Sequence, residues 1–198
     1  AFMTTTLFVY NPFSNFIFEQ HGNLLKFDLS SPSTPTLINS LFPAGAGNPP
    51  ENQSDTGGPH YVLGVAPHTA NRALVATTTG VGDFFNGVGR LLTVDTSQMT
   101  TGCQGLINPC VVSMLDVPQA RLLIGVAAQG SKALAAGDTH GFYDLNSGYT
   151  GALTLSAIDL TNPSAPTLQS TITTSLVHNE TYACNQAERK GFSSLQSL

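Results

Sequence analysis

The 198-residue sequence has no tryptophan, three cysteines and few charges, with Asp, Glu, Lys and Arg making up only 10% of the chain. An ordinary soluble domain carries roughly 25%. The seven Lys and Arg are scattered and outnumbered by twelve Asp and Glu, for a net charge of −5. A surface that grips phosphates needs clustered cations, so the composition argues against a nucleic-acid partner and against an anionic membrane surface. No apolar run approaches the roughly 20 residues of a membrane span. There is no Cys-x-x-Cys pair to support a metal site, no Gly-x-Ser-x-Gly elbow and no phosphate loop, Gly80-Val81-Gly82-Asp83 being only glycine in a turn. No metal and no cofactor is therefore expected. No stretch keeps apolar residues at i, i+3, i+4 and i+7 with caps, so helix is expected to be minor.

What is present is turn chemistry between short apolar segments. Nineteen Gly and twelve Pro punctuate a chain that is 41% hydrophobic, and a mean hydropathy of +0.07 separates it from disordered chains. The length suits one domain, 1–198. The segments are rich in Leu, Val, Ile and Thr and bounded by Gly, Pro, Asn and Ser, which predicts an all-β fold.

The segments repeat. Three units align on Gly22, Gly89 and Gly151, spaced 67 and 62 residues apart. The first comprises residues 5–11, 22–29 and 30–42. The second comprises 72–77, 89–96 and 110–117, and the third 132–137, 151–160 and 161–173. The second and third carry a further strand in front, His60–Pro67 matching Arg121–Ala128. One full unit is thus four strands, A to D, and four antiparallel strands repeated radially make a propeller blade. Asp28, Asp95 and Asp159 end the equivalent C strand. Their carboxylates are expected to accept backbone N–H groups two residues on and start the following turn, a structural role.

The segments LLTVDTS (91–97) and AIDLTNPSAPTL (157–168) resemble the blades of LVIVD-type and lactonase-like β-propellers. The resemblance implies architecture, with blades at about 1–45, 59–117 and 118–174 and a tail at 184–198. The first unit lacks its A strand, and residues 175–183 are the candidate to supply it by ring closure. Three blades fall below the usual four to eight. Two chains closing a six-bladed ring as a homodimer, a missing complementary propeller segment, and a β-sandwich or barrel in place of a ring remain open alternatives.

In a blade the B–C connections share one face with the linkers between blades. All three B–C connections are aromatic: Phe13, Phe16 and Phe18; Phe84 and Phe85; Phe142, Tyr143 and Tyr149. Together they hold half of the chain's Phe and Tyr. Phe16, Phe18, Phe84, Phe85, Phe142 and Tyr143 are the candidate lining of an apolar mouth for a small molecule, or else pack the connections onto the sheets or a second chain. His60, His140, His178 and Asp83 are the candidate acid/base groups, histidine being the side chain that titrates near neutrality. His60 and His178 are placed near the starts of A strands. His68, in the A–B turn, belongs to the opposite face.

The chain opens at Ala1 without a charged n-region and apolar h-region. This gives the expectation that a signal peptide has been removed or that the chain is cut from a longer one. Cys103 and Cys110 lie seven residues apart, a separation that a local disulfide closes, with two free thiols as the other reading; Cys184 is left over. Sequons stand at Asn52 and Asn179. Together these predict a secreted glycoprotein. The expected function is an enzyme acting on a small, largely apolar organic molecule. The lactonase-like resemblance and related natural-product propellers imply lactone hydrolysis, isomerisation or cyclisation. The alternative is a non-catalytic ligand- or protein-binding module.

Overall fold

A computed structural model describes residues 1–10, 18–40, 62–78, 88–99, 110–139 and 149–180. These residues are all-β. Eleven strands form three antiparallel meanders in chain order. The first sheet is β1 (Phe2–Tyr10), β2 (Phe18–Asp28) and β3 (Thr36–Ser40). The second is β4 (Val62–Thr69), β5 (Arg72–Thr78), β6 (Gly89–Asp95) and β7 (Val111–Val117). The third is β8 (Leu122–Gln129), β9 (Lys132–Asp138), β10 (Tyr149–Asp159) and β11 (Thr167–Glu180).

The turns follow their local chemistry. The β8–β9 hairpin joins Gln129 to Lys132 through two residues, and Gly130 takes φ 57° there, a conformation that a Cβ disfavours. After β2 the chain turns at Ser31–Thr34, the Thr34 N–H donating to Ser31 O at 3.0 Å. After β10 it turns at Asn162–Ala165, the Ala165 N–H donating to Asn162 O at 2.9 Å. Pro32 and Pro163 occupy the second turn position, where a fixed φ near −65° is already correct.

Packing between sheets defines the core. In a strand, alternate side chains point to opposite faces, and β5 is buried along both. Leu74 and Ala76 face the third sheet and cluster with Leu91, Val117, Leu123, Ala133, Ala135 and Ile158. Val75 faces the first sheet and clusters with Leu24, Val62, Leu92, Val94 and Met99, with Phe2 against them. The second sheet is therefore the middle layer of a three-sheet stack. Its central strands read as nearly continuous apolar runs because neither face meets water. Each fully buried Leu or Val contributes roughly 1.5–3 kcal/mol.

The inner strands β4 and β8 meet at equivalent glycines. Each strand has a register irregularity just before its glycine, between Val62 and Gly64 and between Leu123 and Gly125. A Cβ on Gly64 would stand 2.8 Å from Gly125 Cα and 3.1 Å from Ile124 O. Glycine is what permits this approach of two backbones.

One expectation changes here. The first sheet has three strands, and residues 175–180 do not complete it. They extend β11 and pair with the start of β10, Glu180 opposite Tyr149 and Val177 opposite Ala152. The physical reason is continuity: β10 is long enough to offer unpaired backbone beyond Thr154, and a bulge between Ala152 and Thr154 lets β11 run on along it. Residues 181–183 lie outside the described residues. Among those described, the three sheets do not close a ring.

Gly64→Ala is expected to destabilise the chain by about 1–3 kcal/mol, because backbone rather than a flexible side chain blocks the new methyl. Urea denaturation checks this, and an unchanged midpoint would show that β4 and β8 separate freely.

Candidate functional site

The B–C connections leave from the ends of β1, β5 and β9. Tyr10 pairs with Phe18, Thr78 with Gly89 and Asp138 with Leu153. Three sets of hydrogen bonds bring these strand ends to one end of the stack. Lys26 Nζ donates to Thr96 O at 2.8 Å, so the last turn of β2 lies beside the last turn of β6 and their first residues share the other end. The linker between the second and third sheets then ties that other end together. The Gly89 N–H donates to Ala120 O and the Arg121 N–H to Asp138 O, both at 2.7 Å. The Thr78 hydroxyl donates to Arg121 O at 2.8 Å. Far from this, the A–B turns are joined by a 2.9 Å bond between His68 Nε2 and Gly130 O. A carbonyl only accepts, so Nε2 carries the hydrogen.

A buried acid stands at the connection end, Asp138, the last residue of β9. It is 5% exposed, a buried carboxylate in the position that Thr78 occupies in the second sheet. Thr139 follows, its N–H donating to Ala152 O at 3.1 Å while its hydroxyl accepts the Ala152 N–H at 3.0 Å. That reciprocal pair fixes Thr139 against β10. Arg121, exposed at the same end, places a guanidinium nearby in the fold.

The predicted site residues divide accordingly. Phe16, His60, Asp83, Phe84, Phe85, His140, Phe142, Tyr143 and Cys103 lie outside the described residues. The strand ends flanking the aromatic ones are those just described. Phe18 opens β2 opposite Tyr10. His178 is placed differently from its expected position at the start of an inner strand. It lies in β11, opposite Gly151, on the outer edge strand of the third sheet. Sequence reasoning admits Asp138 only as a weak metal-ligand partner for the histidines, beside Asp83 and Glu180, and leaves it out of the acid/base set, although a signal separates it from the turn acids. Asp28, Asp95 and Asp159 are followed two residues on by Ser30, Ser97 and Thr161, whereas Asp138 is followed by His140. Among the described residues no group of three His, Cys, Asp or Glu is placed to hold a metal ion.

The three turn acids form one motif. Asp28 Oδ1 accepts the Ser30 N–H at 2.8 Å, Asp95 Oδ1 the Ser97 N–H at 2.9 Å, and Asp159 Oδ1 the Thr161 N–H at 2.8 Å. Asp159 also pairs with Lys132 Nζ at 2.8 Å. All three carboxyls titrate below the usual carboxylate range. The Ser30 N–H is the largest cause for Asp28, the Ser97 hydroxyl for Asp95 and the Lys132 ammonium for Asp159. These residues belong to the ends of the C strands, away from the aromatic connections, and their chemistry is that of turns.

No protein-family model, curated protein or solved structure matches this chain.

Because the carboxyl pKa values are lower in the folded chain, their stabilisation is complete above the unfolded value of about 3.9 and is lost as pH falls through the folded values. Replacing Asp28, Asp95 and Asp159 together by Asn keeps the acceptor oxygens and removes the titration. Urea midpoints of that variant are expected to fall less between pH 5 and pH 2 than those of the parent. Asp95→Ala, which also removes the acceptor, is expected to cost about 1 kcal/mol at neutral pH.

Proposed function

We propose that the three sheets are successive blades of a β-propeller and that the aromatic B–C connections form a pocket for a small, largely apolar organic molecule. The observation that carries this reading is the gathering of the β1, β5 and β9 ends at one end of the stack by Lys26 and the 118–121 linker. Phe16 and Phe18, Phe84 and Phe85, and Phe142 and Tyr143 then supply apolar surface from three successive blades. The chemistry assigned to the pocket is acid/base: hydrolysis of a lactone, isomerisation or cyclisation. Asp83 and His140 are the proton-transfer groups, and the buried Asp138 lies two residues before His140. His60, two residues before β4, adds a further group at the same end. His178, on the outer edge strand, contributes at the margin of the mouth. No metal or cofactor is invoked.

The same reading assigns the chain to an extracellular setting, with a Cys103–Cys110 bridge and glycans at Asn52 and Asn179. Cys110, the half of that bridge among the described residues, is fully buried in the cluster that holds Met99 and Val94.

Incubation with a panel of aryl and alkyl lactones and unsaturated cyclic precursors, followed by mass spectrometry, tests the assignment. Phe85→Ala and Phe142→Ala are expected to weaken binding about tenfold each. His140→Gln and Asp83→Asn are expected to lower turnover by about 10²–10⁴. Binding without turnover would establish a non-catalytic module instead. Absence of binding, or variants indistinguishable from the parent, would remove the pocket altogether.

A further inference from the structure

We infer that the chain assembles head to tail with a second copy, the free face of the first sheet of one copy docking on the free face of the third sheet of the other. The inference rests on the propeller reading of the three sheets and goes beyond the proposed activity. Aligning the strands on Asp28, Asp95 and Asp159 makes each outer sheet comparable, residue by residue, with the middle one. On the third sheet, Leu134, Ala136, Leu155 and Ile172 face away from the stack. Their counterparts in the second sheet are Leu74, Ala76, Leu91 and Leu115, which pack against the third sheet. Leu74, Ala76 and Leu91 are 0% exposed, whereas Leu134 is 49% and Ile172 60% exposed.

The first sheet shows the converse. Leu25 and Phe27 face away from the stack, and their counterparts Leu92 and Val94 are buried against the first sheet. Leu37 pairs with Phe27 and is 52% exposed, whereas its counterpart Leu168 packs against the second sheet beside Ile158. Each free face thus carries the apolar residues of a face that elsewhere in this chain is covered. The two are also the two different halves of that internal contact. A second copy supplies the missing half to each, continuing the chain's own sheet-on-sheet interface.

Gly125 is an independent observation. Its counterpart Gly64 is required by the approach of β8, yet a Cβ on Gly125 would meet nothing within 4 Å among the described residues. Glycine within a strand costs roughly 0.5–1 kcal/mol relative to alanine. The open space beside Gly125 lies on the side where a further inner strand would approach, and docking of a second copy gives this glycine the role that Gly64 has. Two copies bring together six sheets, within the range of closed rings, so the contact is heterologous but closes without forming a fibre.

Sedimentation and native mass spectrometry of the purified chain test the inference, with a mass of twice 20.7 kDa expected. Leu37→Asp and Leu134→Asp alter exposed positions on opposite free faces, and each alone is expected to give monomer with an unchanged far-ultraviolet circular dichroism spectrum. Mixed one to one, they leave one parental interface in each pair and are expected to restore the dimer, which a symmetric face-to-face contact would not do. In the monomeric Leu37→Asp background, Gly125→Ala is expected to leave the urea midpoint unchanged or slightly raised. In the parent it is expected to weaken association at least tenfold. A parental chain that stays monomeric at high micromolar concentration would overturn the proposal and assign the free faces to other polypeptide. Failure of the mixture to restore the dimer would overturn the head-to-tail geometry.

Discussion

The burial of β5 on both faces is the constraint from which the rest of the structure follows. A strand buried on one side needs one partner layer. A strand that turns Leu74 and Ala76 one way and Val75 the other needs two. The flanking sheets are held to the middle one by those side chains, and the connections at either end are placed by which strands the layers align. Opposite-end hydrogen bonds then set orientation: Lys26 to Thr96, the 118–121 linker to Thr78, Gly89 and Asp138, and His68 to Gly130.

The same logic explains why the outer sheets differ from the middle one while sharing its sequence pattern. A repeat copies residues, but burial depends on what stands opposite. Leu74 and Leu134 occupy the same place in successive units, and one is sealed while the other is half exposed. Paired glycines show the effect at backbone level. A Cβ on Gly64 would stand 2.8 Å from the backbone of β8, whereas one on Gly125 would meet nothing within 4 Å among the described residues. The connection end and the two apolar side faces are therefore separate features of one stack.

Acids in this chain also divide by environment rather than by residue type. Asp28, Asp95 and Asp159 accept N–H groups two residues on, and Asp159 is held as an anion chiefly by Lys132. Asp138 closes β9 without that motif, buried at the end from which the aromatic connections depart. An acid at a strand end is a turn element when Ser or Thr follows at the second position.

Local information was sufficient for the strands, their meander order and the three aspartate turns. Alternation, turn residues and a donor two positions away are properties of short segments, and the repeat fixed which segments correspond. The sequence also showed that aromatic residues concentrate between the B and C strands. It did not show that residues 175–180 belong to β11, because a Thr-rich segment pairs with whichever strand has free backbone, and only the length and bulge of β10 decide that. For the same reason His178 moved from an expected inner strand to an outer edge. The burial of Asp138 and the exposure of Leu134 and Leu37 were decided by tertiary structure alone. Each depends on which layer stands beside which, and that is set by contacts between residues far apart in the chain.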